Sequence, residues 1–168
     1  MNIPPLKQSA GFSLIELVIV IVILGVLSVT AYSKFLNLQT DARIAALNSL
    51  KGGMVSASNM LHGKAANLGI EGAASGAITI EGDAIEIAYG YPVAMNDQAW
   101  ALLLETTTLD AVWDNGIADW YFTNESAGDG TIIYAPRTKK LASDRCFLEY
   151  TQATESTIPS FSITNSGC

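Results

Sequence analysis

Residues 12–31 read FSLIELVIVIVILGVLSVTA, a run whose only charge is that of Glu16. At about 1.5 Å of rise per residue this makes about 30 Å of helix, the depth of a bilayer's hydrocarbon core. Apolar residues occupy every side of that helix, which does not fit a surface helix with one apolar stripe. A buried strand does not use so long a run either. The run predicts a transmembrane helix over 12–32, and the rest of the chain must fold around that anchor. It also accounts for a mean hydropathy of +0.30. A chain that is 49% hydrophobic and only 15% charged is too apolar to be disordered. Its net charge of −7 argues against nucleic acid as a partner.

Ahead of the run stands MNIPPLKQSAG, in which Lys7 and the amino terminus carry the only positive charges. A secretory signal has a shorter apolar core, roughly 7–15 residues, with a small-residue cleavage site after it. Here Tyr32, Ser33, Lys34 and Phe35 follow the run, and the small residue suited to processing, Gly11, precedes it. Cleavage after Gly11 removes residues 1–11 and leaves the apolar helix in place. Glu16 admits two readings. An acid at mid-membrane costs roughly 2.5–3.5 kcal/mol on insertion scales, and less at headgroup depth, where Glu16 can simply rest. Alternatively it pairs with a positive charge of another chain, such as the amino terminus that cleavage creates.

Beyond the anchor, Phe35, Leu38, Ala42, Ala46, Leu50, Met54, Ala57 and Leu61 recur every three or four residues, so the helix is expected to continue over 33–65. Gly52-Gly53 allows a bend, and Gly63 or Gly69 an end. A coiled coil is the competing reading, weakened by the alanine and serine in the seam. Residues 33–70 carry four basic residues against Asp41 alone, whereas fourteen acids lie from Glu71 onward.

Residues 66–168 read as a globular head. Ile78 and Ile80, then Ile85, Ile87, Tyr89 and Tyr91, alternate about a Glu81-Gly82-Asp83 turn and predict a hairpin. Asn96-Asp97 is placed to cap a short helix, and Asp114-Asn115-Gly116 marks a turn before strand-like residues 117–123. Further strands are expected at 131–135, 145–150 and 160–164. The fold class is α+β, with an antiparallel sheet on a long amino-terminal helix. Outside the cytoplasm, Cys146 and Cys168 most simply form one disulfide; a reactive thiol lacks a basic neighbourhood.

Little else suggests chemistry. His62 is the one histidine, two cysteines are too few for a closed zinc site, and no phosphate-binding glycine loop occurs. The stretch 110–116 lacks the ligand spacing of a calcium loop. Asn124-Glu125-Ser126 matches a glycosylation triplet. Trp100, Trp113 and Trp120 suit core packing, with sugar stacking as the alternative. No enzyme, cofactor or metal is expected.

The segment G-F-S-L-I-E-L at 11–17, with the unbroken apolar helix after it, resembles the prepilin cleavage and assembly motif of type IV pilins. VIVILGVLSVTA, KFLNLQTDAR, LKGGMVSASNML and YGYP at 89–92 resemble the mannose-sensitive haemagglutinin (MSHA) kind of type IVa pilin. Ser33 stands where that family commonly has a helix-kinking proline. The resemblance implies that a prepilin peptidase and methyltransferase cuts after Gly11 and methylates Phe12. It implies too that Glu16 neutralises a neighbouring subunit's terminal amine. The expected partners are identical subunits, the pilus assembly machinery, the inner membrane before assembly and surface glycans afterwards. The expected role is that of a major pilin in an adhesive surface filament. A minor pilin, a secretion pseudopilin and a tethered module that never polymerises are the alternatives.

Overall fold

The computed structural model describes residues 11–123 and 130–168, apart from the side chains at positions 33, 34, 36 and 37. The glycosylation triplet at 124–126 and the leader up to residue 10 lie outside the described residues. Helix α1 spans Leu14–Leu68, 55 residues, and the chain divides into two compact units after Gln39, within that helix. In the amino-terminal unit every residue from 11 to 32 is exposed.

In the second unit, Thr40–Cys168, α1 buries Leu47, Leu50, Met54, Ala57, Leu61 and Ala65, spaced by three and four residues. This stripe begins later than the periodicity suggested: Phe35, Leu38, Ala42 and Ala46 are exposed. The core reaches α1 only from Ile44 onward, and apolar spacing alone does not reveal where coverage starts. Gly52-Gly53 does not interrupt the helix. The helix stops at Gly69, whose φ of +68° is the left-handed conformation glycine adopts without a Cβ penalty. Gly69 N–H donates to the Ala66 carbonyl and Ile70 N–H to that of Ala65, the double bond of a Schellman ending.

Strands β1 (Gly76–Ile80), β2 (Asp83–Ala88) and β3 (Tyr91–Pro92) form a three-stranded antiparallel sheet. Ile80 pairs with Asp83, so the first turn is Glu81-Gly82 alone. The expected alternation through Tyr89 and Tyr91 is broken. Tyr89 and Gly90, with φ of +51° and +80°, form a second tight turn instead. Two consecutive left-handed residues match the right-handed twist of a hairpin.

The second sheet orders β4 (Thr108–Asp110), β5 (Trp120–Thr123), β6 (Thr131–Pro136), β7 (Phe147–Thr151) and β8 (Ser160–Thr164) consecutively. Its pairs are antiparallel except β4 with β5, which run parallel. Three residues of β4 are too few to give a period-two signal in sequence. β5 starts at Trp120 rather than 117, and β7 at Phe147 because Arg145 is left-handed after the 3₁₀ turn Ala142–Asp144.

The two sheets and α1 share one core. Ile78, Ile85 and Ile87 from the smaller sheet, and Ile132, Tyr134, Leu148 and Tyr150 from the larger, meet the α1 stripe there. A π-helical turn, Asn96–Trp100, leads into α2 (Ala101–Leu103) and buries Trp100, whose ring lies 4.7 Å edge-on from that of Tyr150. Asn96 does not cap this turn. It is buried, its Oδ1 accepting from Tyr134 Oη at 2.9 Å and its Nδ2 donating to Asp97 Oδ1 at 2.8 Å.

Candidate processing and assembly site

Gly11, Phe12 and Ser13 precede the first turn of α1 and stand in solvent, Phe12 at 79% exposure. The first helical amides lack intrahelical partners, so a side-chain acceptor near them is stabilising. Glu16 supplies one: its Oε2 accepts from Ser13 N–H at 3.0 Å. Ser13-Leu14-Ile15-Glu16 has the S-x-x-E spacing of a capping box, and this bond is the half that the acid contributes. The spacing is plain in the sequence, yet weighing Glu16 only as a membrane charge misses this local task. In the first turn the carboxylate also complements the positive end of the helix dipole. From Leu14 to Tyr32 the helix is long and apolar enough to cross a membrane, with none of that stretch buried.

At the other end of the chain, Cys146 and Cys168 form a disulfide with a Cα–Cα distance of 4.8 Å. Both residues are buried, Cys146 completely. Gly167 N–H donates to the Arg145 carbonyl at 2.9 Å beside the bridge. Arg43 ties this segment to α1: its Nη1 donates to the Cys168 main-chain oxygen and its Nε to Thr138 Oγ1 at 3.2 Å. The bond to Cys168 joins residues 125 positions apart. No local signal in the sequence marks Arg43 for it.

The remaining candidates have structural partners. His62 stacks on Tyr91 with ring centroids 4.2 Å apart and planes 3° from parallel. Asp110 Oδ1 accepts from Val112 N–H at 2.8 Å and Trp113 N–H at 3.0 Å, organising a turn. The carboxyl of Asp119 is held below its usual range by hydrogen bonds from the Thr107 hydroxyl, the Thr107 N–H and the Thr106 hydroxyl. Burial drives the phenols of Tyr134 and Tyr150 upward, and Tyr150 Oη donates to the Pro92 carbonyl at 2.6 Å. The tryptophans occupy three environments: Trp100 in the core, Trp120 half-buried and Trp113, against expectation, 84% exposed. Among the described residues no three His, Cys, Asp or Glu side chains gather as a metal site would require.

Neither the curated proteins nor the solved structures gave a match to this chain. Residues 6–32 match the prokaryotic N-terminal methylation motif, which supports a type IV pilin-like or pseudopilin protein.

Proposed function

We propose that this chain is the major structural subunit of an MSHA-like type IV pilus. Residues 1–11 are the leader, 12–32 the assembly helix, 33–65 its continuation and 66–168 the head. Prepilin peptidase cuts after Gly11, Phe12 is methylated, and the mature subunit waits in the inner membrane before it enters an extracellular adhesive filament. One observation carries the reading: the methylation motif over 6–32 takes in the first part of a long helix, and that helix buries none of its residues from 14 to 32. An apolar surface of that kind is covered by lipid before assembly and by identical helices after it.

Glu16 then has two successive tasks. In the free subunit its carboxylate accepts the Ser13 N–H. In the filament it meets the terminal ammonium of a neighbouring Phe12, in a dry core where an unpaired charge is far more costly than a paired one. The side chain of glutamine keeps the cap and lacks the charge, so Glu16→Gln separates the two tasks. Both Glu16→Ala and Glu16→Gln are expected to insert at normal levels. Each should lower the yield of sheared filaments by on the order of tenfold, a loss of about 1.4 kcal/mol. Wild-type filament yield from Glu16→Gln, with no wild-type subunit present, rejects the charge pairing. Mass spectrometry of the sheared material should find methylated Phe12 at the amino terminus; an intact leader rejects the pilin reading. Trace abundance among filaments composed of another subunit would identify a minor pilin instead.

A further inference from the structure

The loop at 111–118, between β4 and β5, exposes large apolar side chains on both sides of its polar turn Asp114-Asn115-Gly116, and the core of the head does not use them. Trp113 is 84% exposed, more than Phe12 at the start of the membrane helix, and Ile117 is 76% exposed. Val112, next to Trp113 in the chain, is also exposed. Large apolar side chains exposed together in one short loop are what an interaction surface offers. The loop is also held in shape. Asp110 Oδ1 takes the amides of Val112 and Trp113 at its start. At its end Tyr121 Oη donates to the Gly116 carbonyl at 2.6 Å and accepts from Ala118 N–H at 3.3 Å. Lys140 lies over the Tyr121 ring, 3.9 Å from its centroid. A tip ordered before binding loses little conformational entropy when it docks.

The same head carries an open groove of about 330 Å³ lined by Ala46, Ser49, Leu50 and Gly53 of α1, by Trp120, and by the segment 104–106, which brings Glu105 and Thr106 as well as Leu104. That volume lies at the lower end of pockets that take small ligands, ~300–1,000 Å³. Small side chains along α1 leave room for a flat aromatic ring, Leu104 and Trp120 offer it apolar contact, and Glu105 and Thr106 are acceptors of the kind an indole N–H needs.

We propose that Trp113, flanked by Val112 and Ile117, seats in this groove of a second copy of the chain. The inference rests on the polymerising reading above. A projection at one place and its receptor at another make a heterologous contact, and such contacts propagate as open filaments unless their rotation closes. The area involved agrees with that setting. One aromatic buries roughly 150–250 Å², whereas a stable complex needs on the order of 1,200 Å² or more. The contact therefore does not dimerise free subunits. It adds to an assembly whose helices already hold the heads at high effective concentration.

The test places the photo-crosslinker p-benzoylphenylalanine at position 113 of the full chain, co-expressed with the wild-type chain so that mixed filaments form. Irradiated sheared filaments are expected to give dimers on a denaturing gel. The crosslinked positions should fall within 46–53 or 104–106, or at Trp120. Filaments without crosslinked dimers, or with crosslinks to other segments or to a different protein, overturn the proposal. In strains lacking the wild-type chain, Trp113→Ser and the groove-filling Ser49→Trp should each reduce filament yield by on the order of tenfold at unchanged membrane levels. Both positions are exposed, so neither change opens the core. Wild-type yield from both variants also overturns it. Absence of filaments from the parental chain refutes polymerisation itself.

Discussion

Replacing Arg43 by Met removes the guanidinium that holds the carboxy-terminal segment to α1 while keeping most of the aliphatic stem. The half-buried bond to the Cys168 oxygen has a charged donor, and such bonds contribute about 1.5–3 kcal/mol. The exposed bond to Thr138 adds little. Arg43→Met should therefore cost about 2 kcal/mol in the oxidised protein. The disulfide closes a loop of sequence separation 22, for which the chain-entropy relation gives about 3.4 kcal/mol. These contributions are not independent. The bridge restrains the oxygen that Arg43 binds, so without it the bond must also order its own acceptor. In a Cys146→Ala/Cys168→Ala background the cost of Arg43→Met should fall to about 1 kcal/mol or less, a coupling within the usual range of about 0.5–3 kcal/mol for sites sharing a network. Urea unfolding of the full chain in detergent micelles, followed by the shift in tryptophan emission as buried Trp100 becomes exposed, measures all four corners of the cycle. Equal costs of Arg43→Met in the two backgrounds refute the coupling.

Two further outcomes concern the head. Tyr134 and Tyr150 ionise above their ordinary range when folded, so above about pH 10 the unfolded chain loses these protons first. Their contribution is full below that pH and declines above it, by up to about 1.4 kcal/mol per pH unit for each phenol. Tyr150→Phe should roughly halve this slope in urea midpoints taken from pH 9 to 11; an unchanged slope contradicts the assignment. Gly90→Ala places a Cβ 2.7 Å from His62 Nδ1 and 3.0 Å from the Glu71 backbone, at a φ of +80°. A destabilisation of about 1–3 kcal/mol is expected in thermal unfolding, and a neutral result would show that the Tyr89-Gly90 turn relaxes freely.

The exposed apolar start of α1 was legible because a twenty-residue run with a single charge needs no tertiary information to interpret. The β1–β2 hairpin and β8 were legible too, since each is long enough for its alternation to show. Other features depended on distant partners. The tyrosine pair at 89 and 91 kept the period of a strand, yet the chain turned between them. Asn96 looked like a cap, but its partner is Tyr134, on another strand. The exposure of Trp113 follows from a loop fixed by Asp110 and Tyr121, and a tryptophan in sequence gives no sign of which way it faces. At the proposed processing site the reading of Gly11, Phe12 and Glu16 came from the resemblance of 11–17 to a known motif. The hydrogen bond from Ser13 was equally readable from its spacing and was overlooked because membrane cost dominated the view of Glu16.

The larger sheet ends at β4 on one side and β8 on the other. A free strand edge can recruit foreign strands, and the hazard grows when many copies are crowded together. β4 has only three residues, which offers few main-chain groups for such templating. β8 has five, and Cys168 anchors the chain four residues beyond its end. The bridge thus guards colloidal behaviour as well as stability. Reducing the bridge removes that tether, so the β8 edge becomes freer to template cross-β pairing with other copies of the chain.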